Sequence, residues 1–338
     1  MLVAVAERSR VAEARRLACQ AAARQGFCER DIGRIAIIAT ELATNLVKHA
    51  GGGEIVIGFF DDGEGTGLEL LALDKGPGIG DVQKALSDGH STAGSAGTGL
   101  GAAHRAANVF AISTRSGHGT AVVARVRRSE DQPHPSRCYI VSGLCVPYPG
   151  EVVCGDGWAV VPVEERLIVL LADGAGHGPE AHRAAARAIE ILRDKAKAAP
   201  EEVVQRVHAA LGATRGAAVA VARLEPEANG GNVNFVGVGN ISAALVDATD
   251  VRRMVSLNGT AGHVAPRIRA FQYSYRHTPT VILHSDGLTS RWDLGEYPGL
   301  IGTHPSLIAG VLYRDFRRGR DDASIVVVRR HSGCPPVS

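Results

Sequence analysis

Aromatic residues are scarce in this chain of 338 residues: seven Phe, six Tyr and two Trp, 4% in all. Surfaces that stack nucleobases need several exposed rings, so single-stranded nucleic acid is an unsuitable ligand. Charge of one sign is also missing. Against 37 Lys and Arg stand 35 Asp and Glu, a net +2, which leaves no basic footprint for a duplex. No apolar run approaches the ~20 residues of a membrane-spanning helix, so no membrane is expected as a partner. The opening MLVAVAERSR turns charged after six residues, too soon for the apolar core of a secretory signal. The six cysteines (Cys19, Cys28, Cys138, Cys145, Cys154, Cys334) are scattered, without a Cys-x-x-Cys pair or a His at zinc spacing. Buried or free thiols in a reducing, cytoplasmic setting are expected, and neither a disulfide frame nor a zinc site. The two commonest phosphate cradles, G-x-x-x-x-G-K-[ST] and a strand-borne G-x-G-x-x-G, are absent as well.

What is present describes a globular chain long enough for two domains, 45% hydrophobic and 21% charged. Composition breaks at RRSEDQPHPSR, residues 127–137, a charged stretch with prolines and no apolar period. Read as a linker at 129–137, it separates domains at 1–128 and 138–331. Before it, RIAIIATELATNLVKHA sets Ile35, Ile38, Leu42 and Leu46 on one helical stripe. The runs EIVIGFF and GLELLALD, then VFAISTRS and TAVVARV, read as two hairpins. After the break come many short apolar strands interrupted by two helical stretches. That order suggests a β-sandwich with helices packed outside.

Three features of the first part belong together. Glu41 and Asn45 lie four apart, hence on one helix face. DKGPGIG places Asp74 at a strand end, followed by Gly76 and Gly78. GSAGTGLG closes a loop and opens a helix, presenting bare N–H groups to an anion. Each alone has a plainer reading, as a solvated helix face, a turn or a flexible loop; their order and spacing favour a nucleotide site. The arrangement resembles the Bergerat ATP-binding fold shared by histidine kinases, gyrase and Hsp90. Within that group it is most similar to switch serine/threonine kinases of the RsbT type. The resemblance implies that Asn45 ligates a Mg²⁺ bridging the phosphates of ATP and that Asp74 accepts from the adenine amino group. Gly76 and Gly78 would let the backbone approach the base. Gly97, Thr98, Gly99, Leu100 and Gly101 would form the lid end over the phosphates. Thr120 would support the adenine contact through water, and Glu41 would be the general base.

In the second part, acids recur beside strands: Asp156 in CGDGW, Asp173 in LLADGAGHG, Asp286 in LHSDGLT, and Asp321 and Asp322 in DDASIVVV. Any one Asp-Gly is commonly a turn. Carboxylates gathered at one end of a sandwich, however, repel unless hard cations neutralise them, and oxygen ligands favour Mg²⁺ or Mn²⁺. These segments resemble the metal-dependent (PPM-type) serine/threonine phosphatases of the SpoIIE and RsbX branch. The resemblance implies that Asp156, Asp173 and the Gly174 carbonyl, with Asp286 and Asp321, hold two Mn²⁺ or Mg²⁺ ions. The acid of the DDAS pair expected to face the metal is Asp321.

Together these readings predict an α+β chain of two domains, a Bergerat-type α/β sandwich followed by a β-sandwich flanked by helices. The expected activity is opposed chemistry, kinase and phosphatase, in bacterial partner switching. The implied partner is a STAS-domain anti-sigma-factor antagonist or a stressosome-like protein. The alternative is a module that grips a sigma factor, an anti-sigma-factor role, joined to a regulatory phosphatase.

Overall fold

A computed structural model describes residues 1–61, 65–87, 99–129, 138–247 and 250–330. The chain divides into two compact units: the first gathers Met1–Arg137 with Leu294–Arg314, and the second takes the remainder. The first begins with strand β1 (Leu2–Val5), helix α1 (Arg8–Arg24) and helix α2 (Glu29–His49). There follow β2 (Gly53–Asp61), β3 (Thr66–Leu73), α3 (Val82–Leu86), α4 (Gly99–Ala106), β4 (Val109–Arg115) and β5 (Gly119–Arg127). The strands form one sheet in the order β1-β2-β3-β5-β4, antiparallel throughout. Both expected hairpin pairings are present, and β1 adds an edge strand that the apolar pattern alone did not mark.

Helix α2 sets the geometry of the first unit. Ile35, Ile38, Ala39, Leu42, Ala43 and Leu46 recur at spacings of three and four and are buried in one core with Ile55, Ile57, Leu70 and Ala72. Each large aliphatic side chain so buried contributes about 1.5–3 kcal/mol. Glu29 and Asp31 in the first turn, and Lys48 and His49 in the last, complement the helix dipole. The stripe faces the sheet, which leaves Glu41 and Asn45 on a neighbouring face.

The second unit runs β6 (Tyr139–Val146), β7 (Asp156–Val163), β8 (Arg166–Gly174), α5 (Pro179–Asp194), α6 (Pro200–Ala210), β9 (Ala217–Glu227) and β10 (Gly230–Val238). It continues through β11 (Ser242–Asp247), β12 (Asp250–Met254), β13 (Ser256–Leu257), β14 (Phe271–Tyr275) and β15 (Thr280–His284). Before the last strand, β16 (Ala323–Arg330), the chain passes through α7 (Pro305–Phe316), whose residues up to Arg314 belong to the first unit. One sheet is ordered β13-β10-β9-β8-β7, with β14 also on β10; the other is ordered β12-β11-β15-β16-β6. Strand β8 shows why they stack. Ile168, Leu170 and Ala172 enter the core shared with α5 and α6, whereas Leu167, Val169 and Leu171 enter the core between the sheets. Alternation with both faces buried is what a central sandwich strand requires.

Two findings depart from sequence expectation. Cys138 is disulfide-bonded, whereas Cys19, Cys28, Cys145 and Cys154 are free; scattered spacing along a chain does not report sulfur proximity in the fold. The segment Leu294–Arg314, read from sequence as part of the C-terminal domain, belongs to the first compact unit. There Gly310 lies against β3 so closely that a Cβ would stand 2.8 Å from Leu73 Cδ2 and 2.9 Å from Leu71 Cδ2. Among the described residues no helix is long and apolar enough to cross a membrane.

Candidate active sites

A cleft of about 620 Å³ in the first unit is lined by Glu41, Asn45, Asp74, Gly78, Gly99, Leu100, Gly101 and Thr120, with Ala72 and Val122 among its apolar walls. Residues from α2, the end of β3, the start of α4 and β5 thus meet at one place. Asn45 Nδ2 is buried without a hydrogen-bond partner. A buried amide N–H left without an acceptor is costly unless a ligand completes it, and as a donor it fits a phosphate oxygen of a nucleotide. Gly97 and Thr98 lie outside the described residues. Gly76 is not part of the lining; its N–H donates to Asp74 Oδ1 at 2.8 Å.

Asp74 is held from several sides. Its Oδ1 also accepts from Thr120 N at 3.1 Å, and its own N–H donates to the Thr120 carbonyl at 3.0 Å. The hydroxyl of Thr120 lies 3.1 Å from Thr114 Oγ1, which in turn accepts from Ile79 N at 2.8 Å. Gly119 takes φ +84°, and a Cβ there would fall 2.0 Å from the Asp74 carbonyl oxygen. Gly119→Ala therefore strains the backbone by about 1–3 kcal/mol and displaces Asp74. The expected result is loss of ATP-analogue affinity of about tenfold or more, measured by isothermal titration, with a lower melting temperature.

In the second unit Asp156 on β7 and Asp173 on β8 face each other in register. Gly174 follows; a Cβ there would meet the Ala181 carbonyl oxygen at 2.2 Å, so only glycine lets this strand end approach α5. Asp286 accepts from Asn240 Nδ2 at 2.6 Å, and Asp321 Oδ1 accepts from Asp322 N at 2.9 Å. Asp322 is buried: Oδ1 takes a hydrogen bond from Tyr148 N at 2.8 Å, while Oδ2 has no partner. Asp156 Oδ2 is orphaned in the same way. Among the described residues no three His, Cys, Asp or Glu side chains close around one point as a ready cage.

Burial pushes the Asp173 carboxyl up to about 9, with the charges of Asp156, Asp286, Asp321 and Asp322 adding to it. Burial raises Asp156 to about 7, hydrogen bonds from Ser285 and Ser324 opposing it, while Asp322 and Asp321 push further upward. Asp286 is raised by burial and by Asp321, against Arg318 and Asn240. Unpartnered buried oxygens among mutually repelling acids suit divalent cations with oxygen ligands. Asp156 and Asp173 could serve two ions, with the Gly174 carbonyl completing one shell and Asp286 and Asp321 the other. Without a cation, the fold binds protons that the unfolded chain releases above about pH 4. Folding then takes up protons from about pH 4 to 9, and stability falls as pH rises through that window. Added Mn²⁺ is expected to raise the melting temperature more at about pH 8 than at about pH 6, with proton release on binding.

Sequence reading missed several supports. Gly119 and Thr114, beneath Asp74, sit in a hairpin that reads merely as a turn. Asn240 carries no motif, and Ser285 and Ser324, though inside LHSDGLT and DDASIVVV, gain a role only through pairing: Ser285 N donates to the Ser324 carbonyl at 3.0 Å, and Ser324 N to Ser285 Oγ at 3.0 Å.

Both parts of the chain resemble known proteins. Residues 4–126 match the histidine kinase-like ATPase domain, and residues 163–331 match stage II sporulation protein E (SpoIIE). The serine/threonine-protein kinase RsbT of Bacillus subtilis is 38% identical over 114 residues, 34% of this chain and 86% of its own. The phosphoserine phosphatase RsbX of the same organism is 23% identical over 140 residues, 41% of this chain and 69% of its own. A solved chain from work on the bacterial stressosome superposes with a TM-score of 0.52 at 26% identity, covering 56% of this chain and 99% of that one. RsbX crystallised with magnesium superposes with a TM-score of 0.50 at 18% identity, covering 57% and 96%, a likeness of fold.

Proposed function

We propose, for a chain that belongs to the SpoIIE family through residues 163–331 and to the RsbT-type histidine kinase-like ATPases through its first part, that its kinase and its phosphatase act on the same partner. The domains are taken as 1–128 and 138–331 along the sequence, with Leu294–Arg314 of the second stretch packed in the first compact unit. The partner is a small STAS-domain protein, phosphorylated on Ser or Thr by the first domain and dephosphorylated by the second. What carries the reading is one chain holding both a cleft with Glu41, Asn45 and Asp74 and a facing Asp156–Asp173 pair with an unpartnered Asp156 oxygen.

In the first domain Asp74 orients the base and Asn45 holds the phosphate end with its Mg²⁺. Glu41, one helical turn from Asn45, takes the proton of the incoming hydroxyl as the γ-phosphoryl group transfers. In the second domain the paired carboxylates place two divalent cations, with Asp321 as the ligand from the DDAS segment. Those cations, when bound, supply the positive charge that a phosphoserine dianion needs and lower the pKa of water. The raised Asp173 and Asp156 carboxyls ionise as the ions enter, coupling cation uptake to proton release. Tethering both activities raises the effective concentration of each at a shared partner.

The test uses the full chain, Mg-ATP and a candidate STAS protein. Phosphoserine or phosphothreonine should appear, then disappear on ATP removal and Mn²⁺ addition. No phosphorylated residue would refute the kinase assignment. Phosphate that persists with Mn²⁺ would refute the phosphatase assignment, and capture of a sigma factor in place of the STAS protein would favour the sequestering alternative.

A further inference from the structure

Three stretches of the second unit meet in one row across the strand ends, just beyond Asp173. Gly174 pairs with Ala217 in register, and Ala217 exchanges both backbone hydrogen bonds with Ala261, at 3.0 and 2.8 Å. One residue further out, Ala175 N donates to the Gly216 carbonyl at 3.0 Å. A Cβ on Gly216 would stand 2.7 Å from His263 Cδ2, and one on Gly176 3.2 Å from Arg215 Nη1. A fourth stretch closes the row. His177 Nδ1 donates to Glu151 Oε1 at 2.7 Å, and its ring stacks on Tyr148 at 4.5 Å. Tyr148 is itself fixed, its N–H donating to Asp322 Oδ1 at 2.8 Å. A continuous rim thus runs from Glu151 through His177 and Arg215 to His263, at the end of the sandwich that holds the acids.

The chemistry of this rim is unlike that of an ordinary solvated loop. Val152, next to Glu151, is 94% exposed, and Val264, next to His263, is 68% exposed; they are the two most exposed large hydrophobic side chains among the described residues. Single exposed aliphatics are common on protein surfaces, but these two stand at the two ends of one rim beside the candidate cation site. Their loops are tied by their own hydrogen bonds: Glu151 N donates to the Tyr148 carbonyl at 2.9 Å, and Thr260 N to the Val264 carbonyl at 2.7 Å. Between them Arg215 is exposed, and its guanidinium has no ion-pair partner among the described residues. An unpaired arginine costs little in water, yet its planar fork becomes an anchor when a partner's carboxylate meets it. Gly176, against which that fork lies, is three residues past Asp173. The fork therefore stands to the side of the acids, suited to the protein around a phosphoserine rather than to its phosphoryl group.

We propose that this rim is the surface on which the second unit docks its phosphorylated protein partner. Arg215 pairs with a carboxylate close to the phosphoserine, and Val152 and Val264 cover apolar side chains to either side of it. The proposal rests on the phosphatase reading above and adds how a phosphoprotein is told from a small phosphate ester. A small ester meets only the acid end with its cations, whereas a folded partner also meets the rim, and the difference appears in its kcat/KM.

The test compares, on the full chain with Mn²⁺, a phosphorylated STAS protein with p-nitrophenyl phosphate. Val152→Asp and Val264→Asp should each raise KM for the phosphoprotein about tenfold relative to p-nitrophenyl phosphate, the scale of an interface hot spot. Arg215→Glu, which sets like charges face to face, should raise it by more than about tenfold, and Arg215→Lys by less than about threefold. The change should fall on KM and not on kcat, because docking holds ground and transition states alike. Should an Asp variant not fold, the milder Val152→Ser and Val264→Ser must still raise KM for the phosphoprotein at least about threefold. Equal loss with both substrates, loss confined to kcat, or an unchanged KM for the phosphoprotein overturns the proposal. So does a dimer, seen by light scattering, that Val152→Asp and Val264→Asp split, since the rim would then join two copies of this chain. An unmodified chain inert toward both substrates instead refutes the phosphatase reading beneath it.

Discussion

Glu41→Gln is expected to slow phosphoryl transfer to the partner protein by about 10²–10⁴-fold, the range of a positioned general base. ATP-analogue affinity and phosphatase activity should stay within about twofold of the unmodified chain, because the substitution keeps the shape of the side chain and removes only its basicity. Glu41 lines the cleft on the same helix as Asn45, so transfer and binding report on neighbouring positions separately. The measurement is incorporation of labelled phosphate under single-turnover conditions beside titration of the analogue. A full-rate Glu41→Gln enzyme would mean that the cleft senses nucleotide and that another group takes the proton.

Asp173→Asn should have the largest effect on the opposing activity. Removing one carboxylate of the facing pair should lower phosphatase turnover by more than about 100-fold, beyond the 10–100-fold that outer partners of a metal site are worth. The same variant should be more stable than the unmodified chain when no divalent cation is present. With its carboxyl pushed up to about 9 by burial and neighbouring acids, Asp173 makes folding take up a proton at neutral and mildly alkaline pH. The amide removes that penalty. At about pH 8 in chelator, the melting temperature should rise by ~3 °C or more, since 1 kcal/mol is worth roughly 2–4 °C in a domain of this size. Mn²⁺, which stabilises the unmodified chain, should then add little. Loss of turnover without this reversal of stability would place Asp173 outside the cation site.

These effects follow from residues that could be named before any coordinates. Asp156 and Asp173 were legible because each ends or begins an apolar strand, and their pairing across β7 and β8 follows once those strands are neighbours. The stripe of Ile35, Ile38, Leu42 and Leu46 placed Glu41 and Asn45 on a defined helix face, since helical period is a local property. The Asp322 oxygens were harder to foresee. Adjacent acids in DDAS look alike along the chain, yet Asp322 is buried against Gly155 and held by Tyr148 N, while the charge of Asp321 raises the Asp286 carboxyl.

What the sequence by itself determined is therefore everything governed by short-range periodicity and residue chemistry. That covers two α+β domains, the helix bearing Glu41 and Asn45, the glycine-framed Asp74, and the set of aspartates that cannot share a fold uncompensated. Only the tertiary structure decided what depends on distance across the chain. It closed the cleft from four separated elements, supplied Gly119 and Thr114 beneath Asp74, bonded Cys138, and sent Leu294–Arg314 back to the nucleotide sheet. The physical reason lies in α7. Its residues Pro305–Arg314 are all buried, and an apolar helix records in its sequence that it must be covered but not by which surface. Hydrophobic burial has no direction; the choice of partner came from the polar contacts of Ser306 and Arg314, which acquire meaning only where Glu69, Arg125 and the Asp74 carbonyl already stand.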